Sequence, residues 1–177
     1  MVELTQSEAE RLIRLRKLPA NPRPNVPNPG EMTSFTLWGV GRKEERFSLD
    51  INRRTKSPGK ISIQLRARDT IILVRLQVNS TTHRNESIVY MPQPISPLIA
   101  GLMRKFENKK IGRNHIHIYV EGYHDRWAFP IQDVWDREVK IPTSPSQNDV
   151  ADLIVEFCKY CNVNPLPTFN RVLPLQT

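Results

Sequence analysis

The chain is poor in the residues that usually announce a chemistry. Two cysteines, Cys158 and Cys161, among 177 residues cannot supply the four ligands of a structural zinc site. In a helical-looking segment they read as packing residues rather than a redox pair. Seven glycines leave no phosphate-cradling loop, which argues against nucleotide-dependent chemistry and predicts no cofactor. No apolar run is long enough to span a bilayer, and acidic Glu3, Glu8 and Glu10 stand where a secretory signal would carry positive charge. A cytoplasmic protein without a membrane partner is the expectation.

Positive charge is present in excess and is unevenly spread. The formal net charge is +8. Residues 41 to 75 hold ten Lys/Arg against four Asp/Glu and residues 104 to 114 hold five against one, whereas residues 116 to 177 hold five against eight. A basic middle with an acidic end fits one surface turned toward a polyanion. Arg53, Arg54, Arg66, Arg68, Arg75, Lys109, Lys110 and Arg113 are the candidate nucleic-acid contacts.

A chain of this length suits a single domain that buries about two-thirds of its unfolded surface. Thr5-Gln6-Ser7-Glu8 matches a capping box flanked by Leu4 and Ala9, and predicts a first helix over 5–18. Residues 18 to 30, with five prolines, predict an extended tether from which that helix can dock away from the rest. From Ser34 the apolar period falls to two: Phe35 and Leu37, then Phe47, Leu49 and Ile51, then Ile61, Ile63 and Leu65, then Ile71 to Val78. Short links at Gly41 and Pro58-Gly59 imply an antiparallel meander. A segment over 86–113 looks inserted, with Ser96-Pro97 starting a short helix, and a last helix over 147–160 starts at Ser146 with Asp149. The fold class predicted is α+β, a twisted, mainly antiparallel sheet of about six strands with N-terminal, inserted and C-terminal helices.

The stretch Asn114 to Pro130, NHIHIYVEGYHDRWAFP, gathers three of the four histidines. Strict alternation over HIHIYVE puts His115, His117, Tyr119 and Glu121 on one strand face and Ile116, Ile118 and Val120 on the other. Together with LTQSEAERLIRL at the N-terminus, FSLDINR, QLRAR, LVRL, THRN and a final helix ending FCKYCN, this stretch resembles a family of small uncharacterised bacterial and phage-associated proteins. The resemblance covers nearly the whole chain apart from 86–113 and implies one intact domain. It assigns no catalytic residue.

Three chemistries compete for the histidine strand. His115, His117 and Glu121 have the spacing of a cupin metal strand, but no later glycine-rich turn brings a further His, so no metal site is predicted. Metal-independent RNA cleavage needs a base for the 2′-OH, an acid for the 5′-oxygen and a cation for the phosphate. His115, His117 and His124, with pKa values near neutrality, fit the first two roles, and Arg66, Arg68 or Arg126 the third. His83, in the polar turn STTHRNES, joins them if that end of the sheet meets the histidine strand. Non-catalytic binding needs only the arginines and the stacking surfaces of Tyr119, Tyr123 and Trp127. The resulting expectation is a basic nucleic-acid-binding protein, RNA favoured over DNA, with endoribonuclease activity as its extension. The alternative is a protein-interaction module, an inhibitor or accessory factor of a bacterial defence or mobile-element system.

Overall fold

In the computed structural model, which describes residues 3–41, 45–53, 59–135 and 139–169, the alternating apolar segments pair as the meander their short links imply. The elements run α1 (Gln6–Arg14), β1 (Lys17–Pro19), β2 (Met32–Gly39), β3 (Arg46–Asn52), β4 (Ile61–Ala67), β5 (Ile71–Val78), β6 (His83–Arg84), α2 (Pro97–Phe106), β7 (Lys110–Ile111), β8 (His115–Ile118), β9 (Ala128–Pro130), α3 (Ile131–Val134) and α4 (Gln147–Tyr160). Seven strands form one antiparallel sheet in the order β1-β2-β3-β4-β5-β8-β9, and β6 and β7 form a separate two-stranded ribbon. The α+β class is as the sequence predicts, with one more strand than expected.

That extra strand spans the junction where the sequence predicts the end of the first helix and the start of the proline-rich tether. The helix stops at Arg14, four residues early, and Lys17–Pro19 pairs with β2 through Leu18 opposite Trp38. Pro19 is tolerated because β1 is an edge strand. The buried Lys17 ammonium donates to the carbonyls of Ile13, Leu15 and Cys161, and so satisfies the acceptors that the end of a helix leaves open. Loss of hydration lowers its pKa to about 8. Further along, Ala20 N–H bonds to Thr36 and Thr168 N–H to Pro22. The tether is stitched down, and α1 docks on the common core through Leu4, Ala9 and Leu12.

Period-two alternation sorts the sheet into two unlike faces. Phe35, Leu37, Phe47, Leu49, Ile51, Ile63, Leu65, Val74, Leu76, Ile116 and Ile118 are buried in one cluster with Val150, Ile154 and Phe157 of α4. Ser146 caps α4 in a reciprocal capping box with Asp149, and Ser96 caps α2 ahead of Pro97. Cys158 and Cys161 are buried and free, and burial raises both thiol pKa values, Cys161 to about 12, which leaves them unreactive. The opposite face carries polar rows in register. Ser34 pairs with Asp50, Asp50 with Gln64, Gln64 with Arg75, and Arg75 with His117. The next row joins Ser62, Gln77 and His115.

Candidate functional site

The β8 strand enters the sheet beside β5, so His117 lies opposite Arg75 and His115 opposite Gln77. Over them folds the segment after β5. Arg113 fastens this segment by donating to the carbonyls of Ser80 and Asn79, and the β6–β7 ribbon sets His83 opposite Ile111. The result is a cluster of three imidazoles whose ring centroids lie 4.9 Å (His115 to His117), 5.0 Å (His83 to His117) and 6.0 Å (His83 to His115) apart. A polar cleft of about 400 Å³ opens onto it, bounded further by Lys60, Arg75, Asp125 and Arg126.

The hydrogen-bond state of each ring constrains its chemistry. His115 Nδ1 lies 2.7 Å from the Gly112 carbonyl. A carbonyl can only accept, so Nδ1 carries the proton and Nε2 keeps its lone pair toward the cluster. His83 Nε2, His117 Nδ1 and Arg75 Nε are buried and have no protein hydrogen-bond partner among the described residues. Buried polar atoms are nearly always paired, because an unpaired one costs about 1–3 kcal/mol. Several on one cleft mark a site rather than a packed interior.

All three imidazoles are held neutral. Burial is the largest cause for each, and the Arg75 guanidinium adds to it. His117 is the extreme, its pKa pushed down to about 2, while main-chain hydrogen bonding at Arg126, Gly112 and Asp125 favours the protonated forms of His83, His115 and His117 in turn. The sequence expectation of histidines near neutrality therefore fails in the free protein: these side chains are walled in and share the cleft with a cation. An anion beside Arg75 would offset the guanidinium charge and so favour the protonated imidazole.

The other sequence candidates are scattered. His124, at a positive φ of 55°, lies beyond the cleft against Tyr119, with ring centroids 5.8 Å apart. Tyr119 and Trp127 are core residues, exposed by 1% and 0%. The Tyr119 hydroxyl is fixed to the backbone of Leu4, so neither ring face is open to a stacked base. Glu121 is drawn away from the histidines to accept from the Gln6 N–H at the start of α1, at 2.7 Å. Among the described residues no three His, Cys, Asp or Glu side chains are arranged to hold a metal.

Arg53 is buried against the Pro27 carbonyl and Gln147, a structural role in place of the nucleic-acid contact expected. Arg54 lies outside the described residues. Arg66 is tied to Asp50 at 2.7 Å and Arg68 to Glu8 at 2.5 Å, and neither borders the cleft of His83, His115 and His117. Lys109 and Lys110 are exposed beside and on the ribbon that carries His83. Of the expected set, the fold brings together His115, His117, Arg75 and Arg126, with His83.

A family model described as a family of unknown function, DUF6978, matches residues 4–163. The chain belongs to that family. No curated protein and no solved structure matches it. The matched span takes in all three clustered histidines and both cleft arginines, while the family description assigns a role to none of them.

Two features of the site were not anticipated. Lys60 borders the cleft, although its place in a basic run hides it among neighbours of the same charge. Trp38, 42% exposed, lies outside the cleft on the polar face with Thr36 and Ser34 through its position in β2, and is an open aromatic, as Tyr90 is and Tyr119 and Trp127 are not. The alternation of Phe35, Leu37 and Gly39 inward against Ser34, Thr36 and Trp38 outward was the signal available for it.

Proposed function

We propose that the histidine cleft binds and cleaves RNA without a metal, as a cytoplasmic endoribonuclease. The observation that carries this reading is the convergence of His83, His115 and His117 on one polar cleft beside Arg75, with imidazole nitrogens that no protein group partners. A packed structural histidine cluster would satisfy those atoms, whereas a site for a substrate leaves them for the substrate.

The roles follow from tautomer and exposure. His115 Nε2 takes the proton of the ribose 2′-OH, whose oxygen attacks phosphorus. His83, half-exposed at the mouth, is protonated once the phosphate lies against it and passes that proton to the departing 5′-oxygen. The P–O5′ bond breaks, leaving a 2′,3′-cyclic phosphate and a free 5′-hydroxyl. Arg75, Arg126 and Lys60 hold the phosphate as charge develops on it. His117, the deepest of the three, orients the others and takes no proton itself. The open polar face over β2 to β4, ending at Trp38, carries the flanking strand.

Cleavage of a fluorogenic oligoribonucleotide in EDTA tests this reading. Turnover is expected to continue without metal, to yield 2′,3′-cyclic ends and to need a 2′-OH at the cut. His115→Ala is expected to slow it about 10²–10⁴-fold while RNA affinity stays within a few-fold, because proton transfer matters in the transition state rather than in binding. RNA left intact at every pH from 5 to 8, by protein that still binds it, would reduce the reading to a binding module. The absence of any RNA or DNA binding at low salt would remove it and leave a protein partner.

A further inference from the structure

Along β8 His115 and His117 face the polar side, and the core residue Tyr119 follows the end of the strand. The first two border the histidine cleft, and the third borders a different cavity of about 680 Å³. That cavity lies against the cleft, because Asp125 and Arg126 line both. Its character is otherwise different. Ile71 and Ile72, both half-buried, make an apolar wall over a floor that Tyr119 closes, and Arg68, Thr70 and His124 stand around it. Volume and lining fall in the range of small-molecule sites, apolar with a few polar groups placed to orient the ligand. The β4–β5 register shifts between Leu65 and Arg66, so that Ile72 comes opposite Arg66 and Ile71 opposite Ala67, and both isoleucines border the cavity at this end of the strand.

We propose that this second cavity is a nucleobase pocket, which seats the base of the nucleotide next to the phosphate held in the histidine cleft. The inference rests on the reading of that cleft as the phosphate site. An apolar slot joined to a cationic polar cleft by a shared two-residue wall matches the two ends of a nucleotide, a flat ring with polar edges and an anion. Ile71 and Ile72 pack on the ring face, and Thr70 and His124 offer a hydroxyl and an imidazole to its edge. Arg126, reaching both cavities, sits where the sugar joins the two. The pocket makes the protein selective for a base at the cut rather than for RNA as a bare polyanion.

Titrations with inorganic phosphate and with the four nucleoside 3′-monophosphates, followed by NMR of amide and imidazole signals, separate the two readings. Phosphate is expected to shift His83, His115 and His117 alone. At least one nucleotide is expected to shift these and also Ile71 and Ile72, and to bind tenfold or more tightly than phosphate. Thr70→Trp, at an exposed turn position, and Ile72→Trp, on the wall across from it, are each expected to bring nucleotide affinity down to that of phosphate and to leave phosphate binding unchanged. Nucleotides that bind no more tightly than phosphate, or that keep their advantage in both variants, would overturn the base pocket and leave the phosphate cleft standing. Imidazole signals that respond to neither ligand would overturn both.

Discussion

Two arginine–aspartate pairs lie on the same sheet with guanidiniums about equally exposed, each with an Nε that makes no hydrogen bond, and they differ in their carboxylates and in what surrounds them. Asp50 is 2% exposed at its side chain, accepts from Ser34 at 2.6 Å and Gln64 at 2.9 Å, and forms an ion pair with Arg66 at 2.7 Å. Its carboxylate is saturated, so the pair is closed to any newcomer. Asp125 meets Arg75 at 2.9 Å with both side chains about a quarter exposed, and around that pair stand the unpartnered imidazole nitrogens and Arg75 Nε. A buried carboxylate held by several donors is costly to remove, because its partners are left uncompensated. An ion pair left open beside orphaned donors and acceptors instead presents a charge to something that is not part of the chain.

The largest effect expected from that contrast is on stability. Asp50→Ala strands the Arg66 guanidinium and two further donors on the sheet, and is expected to cost about 3 kcal/mol, as breaking one side of a buried pair does. In a chain of this size that lowers the melting temperature by roughly 6–12 °C. Asp125→Ala is expected to cost about 1 kcal/mol or less, since solvent screens its pair, and to strengthen phosphate binding by removing a negative charge from Arg75. Equal melting losses in the two variants would erase the distinction.

The next effect is a dependence on pH. His117 is neutral in the folded protein down to about pH 2, while in the unfolded chain it takes a proton near pH 6.5. Stability is therefore fully present above pH 6.5 and falls as pH drops toward 2, at about 1.4 kcal/mol per unit for this one group. Between pH 6.5 and pH 5 it accounts for about 2 kcal/mol. Denaturant midpoints measured across that range are expected to slope downward with acid in the wild type and markedly less in His117→Phe. The same slope in both proteins would show that the ring is not the neutral, walled-in group described here.

A smaller effect belongs to Trp38. If the open face carries a strand, Trp38→Ala is expected to weaken single-stranded RNA binding by about 1 kcal/mol, the low end for a lost stacking contact, with no change in melting temperature. Truncation of the buried Trp127 is expected to do the reverse. Fluorescence anisotropy with a short oligonucleotide, read beside a melting curve, distinguishes them.

The two pairs also show why the site was only partly legible in the sequence. Alternation located His115 and His117 on the polar face, and the placing of β8 beside the polar residues of β5 made Arg75 their neighbour. Alternation failed at Tyr119, because regular β8 pairing ends at Ile118 and the Tyr119 hydroxyl is taken by Leu4, 115 residues away in sequence. Nothing local to Tyr119 records that bond. Arg66 and Arg75 look equivalent in their strands, yet Arg66, opposite Ser48, reaches Asp50 in the next row, whereas Arg75 turns to Asp125 beside His117. The proline-rich stretch misled for a related reason: its composition excludes helix and inner strand but permits an edge strand, and whether an edge is available is a property of β2 rather than of the prolines.

The claim on which the rest depends is that the three imidazoles are kept neutral in the free protein and that a bound phosphate restores the proton of His83. It is tested most directly by the ring-nitrogen NMR titration of His83, His115 and His117, free and bound to an oligonucleotide with a 2′-deoxy sugar at the cut so that it cannot be cleaved. Free protein is expected to show all three titrating below 6.5. Bound protein is expected to show His83 raised by a unit or more while His115 and His117 stay neutral. Titration curves that are unchanged on saturation with the oligonucleotide would contradict the account.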